Sequence, residues 1–293
     1  MRLFLILALC CFALAKSQII GYYPGIGQPI QPIQPIQPIQ PIQPVQPVGQ
    51  GYPRFEAYAG EYPYQVAIQV DGHAHCGGTL ISKKHVLTAA HCTHDWILQR
   101  KDKTTIKVIV GTNDLNNGGT VMNVARVSQH PQFRWYGPDV PILKHDVAVI
   151  RLTEEITESD TVKPISLPAA NSEIAANTRL ILTGFGATYA GGPSSSVLRH
   201  IYLYVTDHNT CSINWLNRGK ITTDHLCATL APGYGACNGD SGGPLVLEDK
   251  STVVGIVSEG IGLGHGCGSG WPDLFTKVSH HLEFINGELA LTN

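Results

Sequence analysis

Gly239-Asp240-Ser241-Gly242-Gly243-Pro244 runs directly into the apolar stretch Leu245-Val246-Leu247. A serine set among glycines, ahead of a short β-prone run, reads as a tight turn presenting a hydroxyl at the mouth of a strand. Alone it is an ordinary turn. Upstream lie Thr88-Ala89-Ala90-His91-Cys92 and His145-Asp146-Val147-Ala148-Val149. A serine hydroxyl is a weak nucleophile until a base takes its proton and a third group orients that base. Ser241, His91 and Asp146 offer one residue for each role, although singly they read as a turn serine, a core histidine and a strand-end aspartate.

The texture around these segments is consistently β-like. Tyr64–Val70, Gly78–Ser82, Val86–Ala89, Ile106–Val110, Val147–Leu152, Arg179–Thr183, Leu198–Val205, Pro244–Leu247 and Val253–Val257 are short β-rich runs punctuated by Gly, Asn, Asp and Pro. Many short strands with no regular helices between them predict an all-β sandwich or barrel. A helix is expected only near the end, about Ser279–Leu289, where Gly287 weakens it.

The first fifteen residues carry Arg2, an apolar run from Leu3 to Ala13 and the small-residue pattern Ala13-Leu14-Ala15. They read as a secretory leader cleaved near Ala15, too short to span a membrane. The expected product is secreted, extracellular and not membrane-bound. From Gln28 to Val48 the repeat Gln-Pro-Ile, turning to Gln-Pro-Val, has a period of three. Proline at every third position blocks helix and sheet ladders and suits polyproline II, a stiff spacer or a docking strip for a partner or matrix. The expected division is leader 1–15, Pro/Gln-rich prosegment or linker 16–50, and a folded domain 51–293.

The chain has 293 residues and a formal net charge of -2, which gives no electrostatic reason to expect nucleic acid or an anionic membrane as partner. Of eight cysteines, Cys10 and Cys11 leave with the leader, and Cys76, Cys92, Cys211, Cys227, Cys237 and Cys267 remain. In an oxidising compartment they suggest three disulfides, with fifteen pairings open on pattern alone. There is no CxxC spacing, and His73/His75 and His280/His281 read as loop or surface histidines. Neither a metal nor a cofactor is expected.

Residues 57–286 resemble the chymotrypsin-like serine proteases. Pro63-Tyr64-Gln65-Val66, Cys76-Gly77-Gly78-Thr79-Leu80-Ile81, Val86-Leu87-Thr88-Ala89-Ala90-His91-Cys92, Gly184-Phe185-Gly186, Gly255-Ile256-Val257-Ser258 and Phe275-Thr276-Lys277-Val278 fall in family order. The resemblance implies two packed six-stranded antiparallel β-barrels with the site between them, and disulfides Cys76–Cys92, Cys211–Cys227 and Cys237–Cys267. It implies Ser241 as nucleophile, His91 as general base and Asp146 as the group holding the imidazole. The backbone N–H groups of Gly239 and Ser241 would form the oxyanion hole. Substrates would be proteins or peptides and further partners protein inhibitors, with the enzyme a monomer.

For specificity, the resemblance places Gly235, Ser258, Gly260 and Asp273 around the substrate pocket. Gly235 stands where trypsins carry the selecting Asp, and Asp273 falls on a second position at the same base. The combination resembles the broad-specificity arthropod brachyurins and implies chymotrypsin-like or broad cleavage. Strictly trypsin-like cleavage and a solvated Asp273 in a displaced loop are the competing readings. Glu259, where most relatives have Trp, is a departure. So is Gly111–Gly118, which lacks the glutamates of the trypsin calcium loop.

The resemblance also implies that Asp240 pairs with a new amino terminus freed by a cut, because a lone buried carboxylate is costly. That terminus would fall near Gly51, yet no Lys or Arg lies between Lys16 and Arg54. A cut behind Arg54 exposes Phe55, about four residues late by this alignment. Activation by a protease of other specificity, a shifted alignment, and no activation in the usual way all remain open. The rival to a secreted endopeptidase made as a precursor is a non-catalytic homologue acting as an extracellular binding or cofactor protein. A third reading makes the repeat an anchor to chitin, mucin or matrix.

Overall fold

Short apolar strands, most of them buried along nearly their whole length, build the first barrel. The computed structural model describes residues 54–94, 105–137, 141–260 and 267–291. All lie within Gln46–Asn293, one of two compact units. The leader, the Gln-Pro-Ile repeat and Gly51 fall outside the described residues. After the two-residue strand β1 (Phe55–Glu56) come β2 (Gln65–Val70), β3 (His73–Leu80), β4 (His85–Thr88), β5 (Ile106–Val110), β6 (Thr120–Gln129) and β7 (Ala148–Leu152). Strands β2 to β7 close into an antiparallel barrel in the order β2-β3-β4-β7-β6-β5. Val66, Ile68, Leu80, Val86, Leu87, Val108 and Ile150 fill it, and their β-branched or apolar side chains suit a pleated, enclosed surface.

The second sheet comprises β8 (Arg179–Gly184), β9 (Arg199–Val205), β10 (His225–Thr229), β11 (Pro244–Leu247), β12 (Val253–Glu259) and β13 (Asp273–Lys277). Its order is β9-β10-β13-β12-β11-β8, and pairing of β8 with β9 closes it into a second six-stranded barrel, with β1 added on β9. Leu180, Leu182, Leu203, Leu245 and Phe275 form its core. The expected pair of barrels is the observed architecture.

Several elements escaped the sequence reading. Strand β6 reads as polar because only Met122 and Val124 of its ten residues are buried. Strands β10 and β13 pair with each other along four residues, and β3 begins at His73, ahead of the expected Gly78. An unforeseen helix, α1 (His208–Trp215), starts where the Asp207 carboxylate accepts the Thr210 N–H at 2.9 Å. It has no strong apolar stripe. Trp215, buried and donating its indole N–H to the Pro272 carbonyl at 3.0 Å, ties it down with Cys211. The expected terminal helix is α2 (Leu282–Leu289).

Disulfides join Cys76 to Cys92, Cys211 to Cys227 and Cys237 to Cys267. Each of the first two closes a 16-residue span, which on loop entropy is worth about 3 kcal/mol.

Candidate active site

Strand register assembles the site. Thr88 pairs with Ala148 across β4 and β7, so the chain leaving β4 toward His91 passes the chain that enters β7 from Asp146. The second barrel holds the same corner, since Thr276 of β13 donates its hydroxyl to the Asp146 carbonyl at 2.8 Å. Ser241 is held from the other side. Its carbonyl accepts the Gly77 N–H of β3 at 2.8 Å, and Gly242 N–H reaches the Val257 carbonyl at 2.8 Å. Each barrel therefore fixes a residue that the other contributes.

Asp146 is buried and accepts three bonds: the His91 backbone N–H at 2.8 Å, His91 Nδ1 at 2.7 Å and the Ser258 hydroxyl at 2.6 Å. Burial pushes its carboxyl up, but the His91 charge and these bonds outweigh that and hold it below the usual aspartate range. Burial likewise works against a proton on His91, and Asp146 overrides it, raising the ring above its ordinary value. An ionised Asp146 makes Nδ1 the donor, so in the neutral ring Nε2 is the bare nitrogen. His91 and Ser241 line one cleft of about 460 Å³, with Ser258, Glu259, Gly260 and Asp273 further along its wall.

The turn before Ser241 is unusual backbone. Gly239 has φ +96°, which a side chain would resist. Among the described residues, neither the Gly239 nor the Ser241 N–H has an acceptor, and two free donors beside a serine hydroxyl could receive an oxyanion.

Comparison with known proteins bears on what this cleft does. Residues 53–285 match the family model described as Trypsin. The chain belongs to the trypsin family. It is 34% identical to a trypsin of Phaedon cochleariae over 234 residues, covering 79% of this chain and 85% of that protein. With chymotrypsin-2 of Vespa crabro it shares 36% over 231 residues, 78% of this chain and 95% of that one. Its fold is similar to a solved structure of human heparin binding protein, with TM-score 0.68 and 27% identity over 82% of this chain and 97% of the other. The protein is a serine endopeptidase, and its substrates are proteins.

At the base of the protease's cleft, Asp273 is 4% exposed, which removes the reading of a solvated residue in a displaced loop. One carboxylate oxygen accepts the Ala236 N–H at 2.7 Å, beside Gly235. Gly260 lies close by, since a methyl group there would stand 3.0 Å from the Asp273 carboxylate. Burial raises the Asp273 carboxyl to about 7, against the pull of Ala236 N–H and of Arg54. Glu259 is also pushed up to about 7 by burial, although it accepts the Leu143 N–H and the Tyr136 hydroxyl. Tyr136 and Leu143 come from the first barrel's side, and no sequence motif marks them as cleft residues.

Asp240 lies at the centre of the Ser241 loop, fully buried. It accepts Gly186 N–H at 2.9 Å and Cys237 N–H at 2.9 Å. A side chain on Gly186 would collide with this carboxylate, which explains the Gly184-Phe185-Gly186 motif physically. The sequence reading assigns Asp240 a freed amino terminus as its partner and identifies no cut that supplies one; in the uncut chain its cation is a side chain. The Arg54 guanidinium sits 2.6 Å from its Oδ2 and also donates to the Gly235 carbonyl at 2.8 Å.

His281 also differs from expectation, being buried with Nδ1 donating to the Lys277 carbonyl at 3.0 Å. It, His145 and Asp224 bring potential metal-binding atoms within 4.8 Å of one another, outside the cleft.

Proposed function

We propose that the protein is a secreted endopeptidase that cleaves peptide bonds through Ser241, His91 and Asp146 by way of an acyl-enzyme. The observation that carries this reading is the His91–Asp146 pair: a buried, ionised carboxylate takes both the ring Nδ1–H and the backbone N–H of His91. That leaves Nε2 to accept the Ser241 proton as the hydroxyl attacks the carbonyl. The imidazolium so formed is stabilised by Asp146 and returns the proton to the leaving amine. The Gly239 and Ser241 N–H groups stabilise the oxyanion, each worth about 3–4 kcal/mol. Water then repeats the sequence on the ester.

Residues 1–15 are proposed as leader, 16–50 as prosegment or linker and 51–293 as the protease domain. The pocket built from Gly235, Ser258, Gly260 and Asp273 supports broad cleavage. Its carboxyl, titrating near neutrality, tolerates apolar side chains when protonated and pairs with basic ones when ionised.

Digestion of a peptide library by the secreted protein tests both parts. Cleavage after aromatic, aliphatic and basic residues, abolished in Ser241→Ala, is the expected result. Strict cleavage after Arg and Lys contradicts the broad pocket, and activity that persists in Ser241→Ala contradicts the mechanism. A folded protein that cleaves nothing favours the rival reading, a non-catalytic homologue.

A further inference from the structure

The Arg54–Asp240 pair joins positions 186 residues apart and both partners are almost wholly removed from water, with side-chain exposures of 6% and 0%. Burying two charges is costly unless their geometry is good and their remaining hydrogen-bonding groups are satisfied. The carboxylate side meets both conditions, since Asp240 uses Gly186 N–H, Cys237 N–H and the guanidinium, while Arg54 Nη2 also donates to the Gly235 carbonyl. These contacts tie together the residue before the nucleophile, the pocket base and the β8 end in one knot.

The backbone around Arg54 is equally tied. Phe55 and Glu56 pair with His200 and Arg199 in β1–β9, the Ala57 N–H reaches the Leu198 carbonyl at 2.9 Å, and the Arg54 carbonyl accepts Arg199 Nη1 at 3.2 Å. The Arg54–Phe55 bond therefore lies in a paired segment with its arginine side chain buried. A trypsin-like activator needs that side chain in its own pocket. Phe55, which such a cut would make the new terminus, is 55% exposed beside β9 rather than at Asp240.

We propose that Arg54 is the positioning residue that supplies Asp240 with its cation from within the unbroken chain, so that the oxyanion turn and pocket base are ordered without a cut. This rests on Ser241 being the nucleophile. Arg54 does not touch substrate; it acts through Asp240 on the turn at Gly239. A guanidinium also stays charged at every pH the fold tolerates, whereas an α-ammonium has an ordinary value near 7.7–8.0 and an ammonium side chain near 10.4. The charged groups facing it are Asp240 and Asp273, with Arg199 and Glu56 at the strand end.

The test is the burst of acylation by a p-nitrophenyl ester on the secreted full chain, with intact mass to establish whether the Arg54–Phe55 bond is whole. The expected result is a burst near one per uncut chain, with no alkaline limb up to about pH 11, above the ordinary lysine value. Arg54→Lys keeps the burst at pH 7.5 but gains an alkaline limb that the parent lacks, and Arg54→Gln slows acylation by about 100-fold or more. Should Arg54→Gln fail to fold, as near-ultraviolet circular dichroism would show, the alkaline limb of Arg54→Lys still decides. A burst that appears only after a cut freeing a new terminus overturns the proposal and leaves Ser241 standing. So does Arg54→Gln acylating at the parent rate, or an identical pH limb in parent and Arg54→Lys. A chain that acylates in neither cut nor uncut form overturns the proposal together with the reading of Ser241.

Discussion

The two barrels carry their buried charge differently. The first contributes one carboxylate to the site, Asp146, and pairs it locally with His91. The second places Asp240, Asp273 and the partly buried Glu259 around the nucleophile and pocket, with Arg54 as the cation shared between Asp240 and Asp273. The half that carries the proposed base is thus a self-contained His91–Asp146 pair. The nucleophile half is an electrostatic assembly whose order depends on one distant arginine and whose pocket titrates near neutrality. On the proposed mechanism, reaction type is set in one half, and competence and selectivity in the other.

Substitutions should separate the two halves by size of effect. Ser241→Ala removes the nucleophile and should lower kcat by about 10⁶-fold, read by steady-state hydrolysis. Asp146→Asn leaves His91 in place but no longer selects its Nδ1–H tautomer, so kcat should fall about 10⁴-fold with KM little changed. A comparable loss from Asp273→Asn would erase the distinction between the halves. That variant should instead lower kcat/KM for basic substrates by about 10-fold or more and alter aromatic ones far less.

pH sharpens the contrast further. Asp273 and Glu259, both raised to about 7, lose their protons as pH rises from 6 to 8. KM for basic substrates should fall over that interval while KM for apolar ones stays level. The same shifts act on stability with a definite sign. A carboxyl whose folded value lies above its unfolded one favours folding when protonated, so its contribution is full below about 4.5 and is lost as pH rises through about 7. Glu259→Gln should flatten that decline in melting temperature. The smallest effect on catalysis should come from Cys211→Ala with Cys227→Ala, a loss of about 3 kcal/mol in stability with kcat retained.

How far each feature was legible follows from its range. His91, Asp146 and Ser241 sit in short motifs where neighbours constrain one another, so residue type and order suffice to propose them. Asp273 was placed by counting back from Phe275-Thr276-Lys277-Val278, again a local argument. Arg54 was not legible as a partner of Asp240. The contact spans most of the domain, and Arg54 reads locally as a cleavage site. Tyr136 and Leu143 reach Glu259 across the cleft in the same long-range way. Helix α1 depends on its Asp207 cap, a disulfide and one buried Trp215, none of which produces the periodic pattern that marks a helix in sequence.

The most direct measurement is covalent labelling of the secreted protein with a serine-directed phosphonofluoridate, mapped by peptide mass. Stoichiometric modification of Ser241, lost in His91→Ala and in Asp146→Asn slowed by orders of magnitude, is the result this account predicts. A folded protein whose Ser241 stays unlabelled, or is labelled equally well without His91, would contradict it.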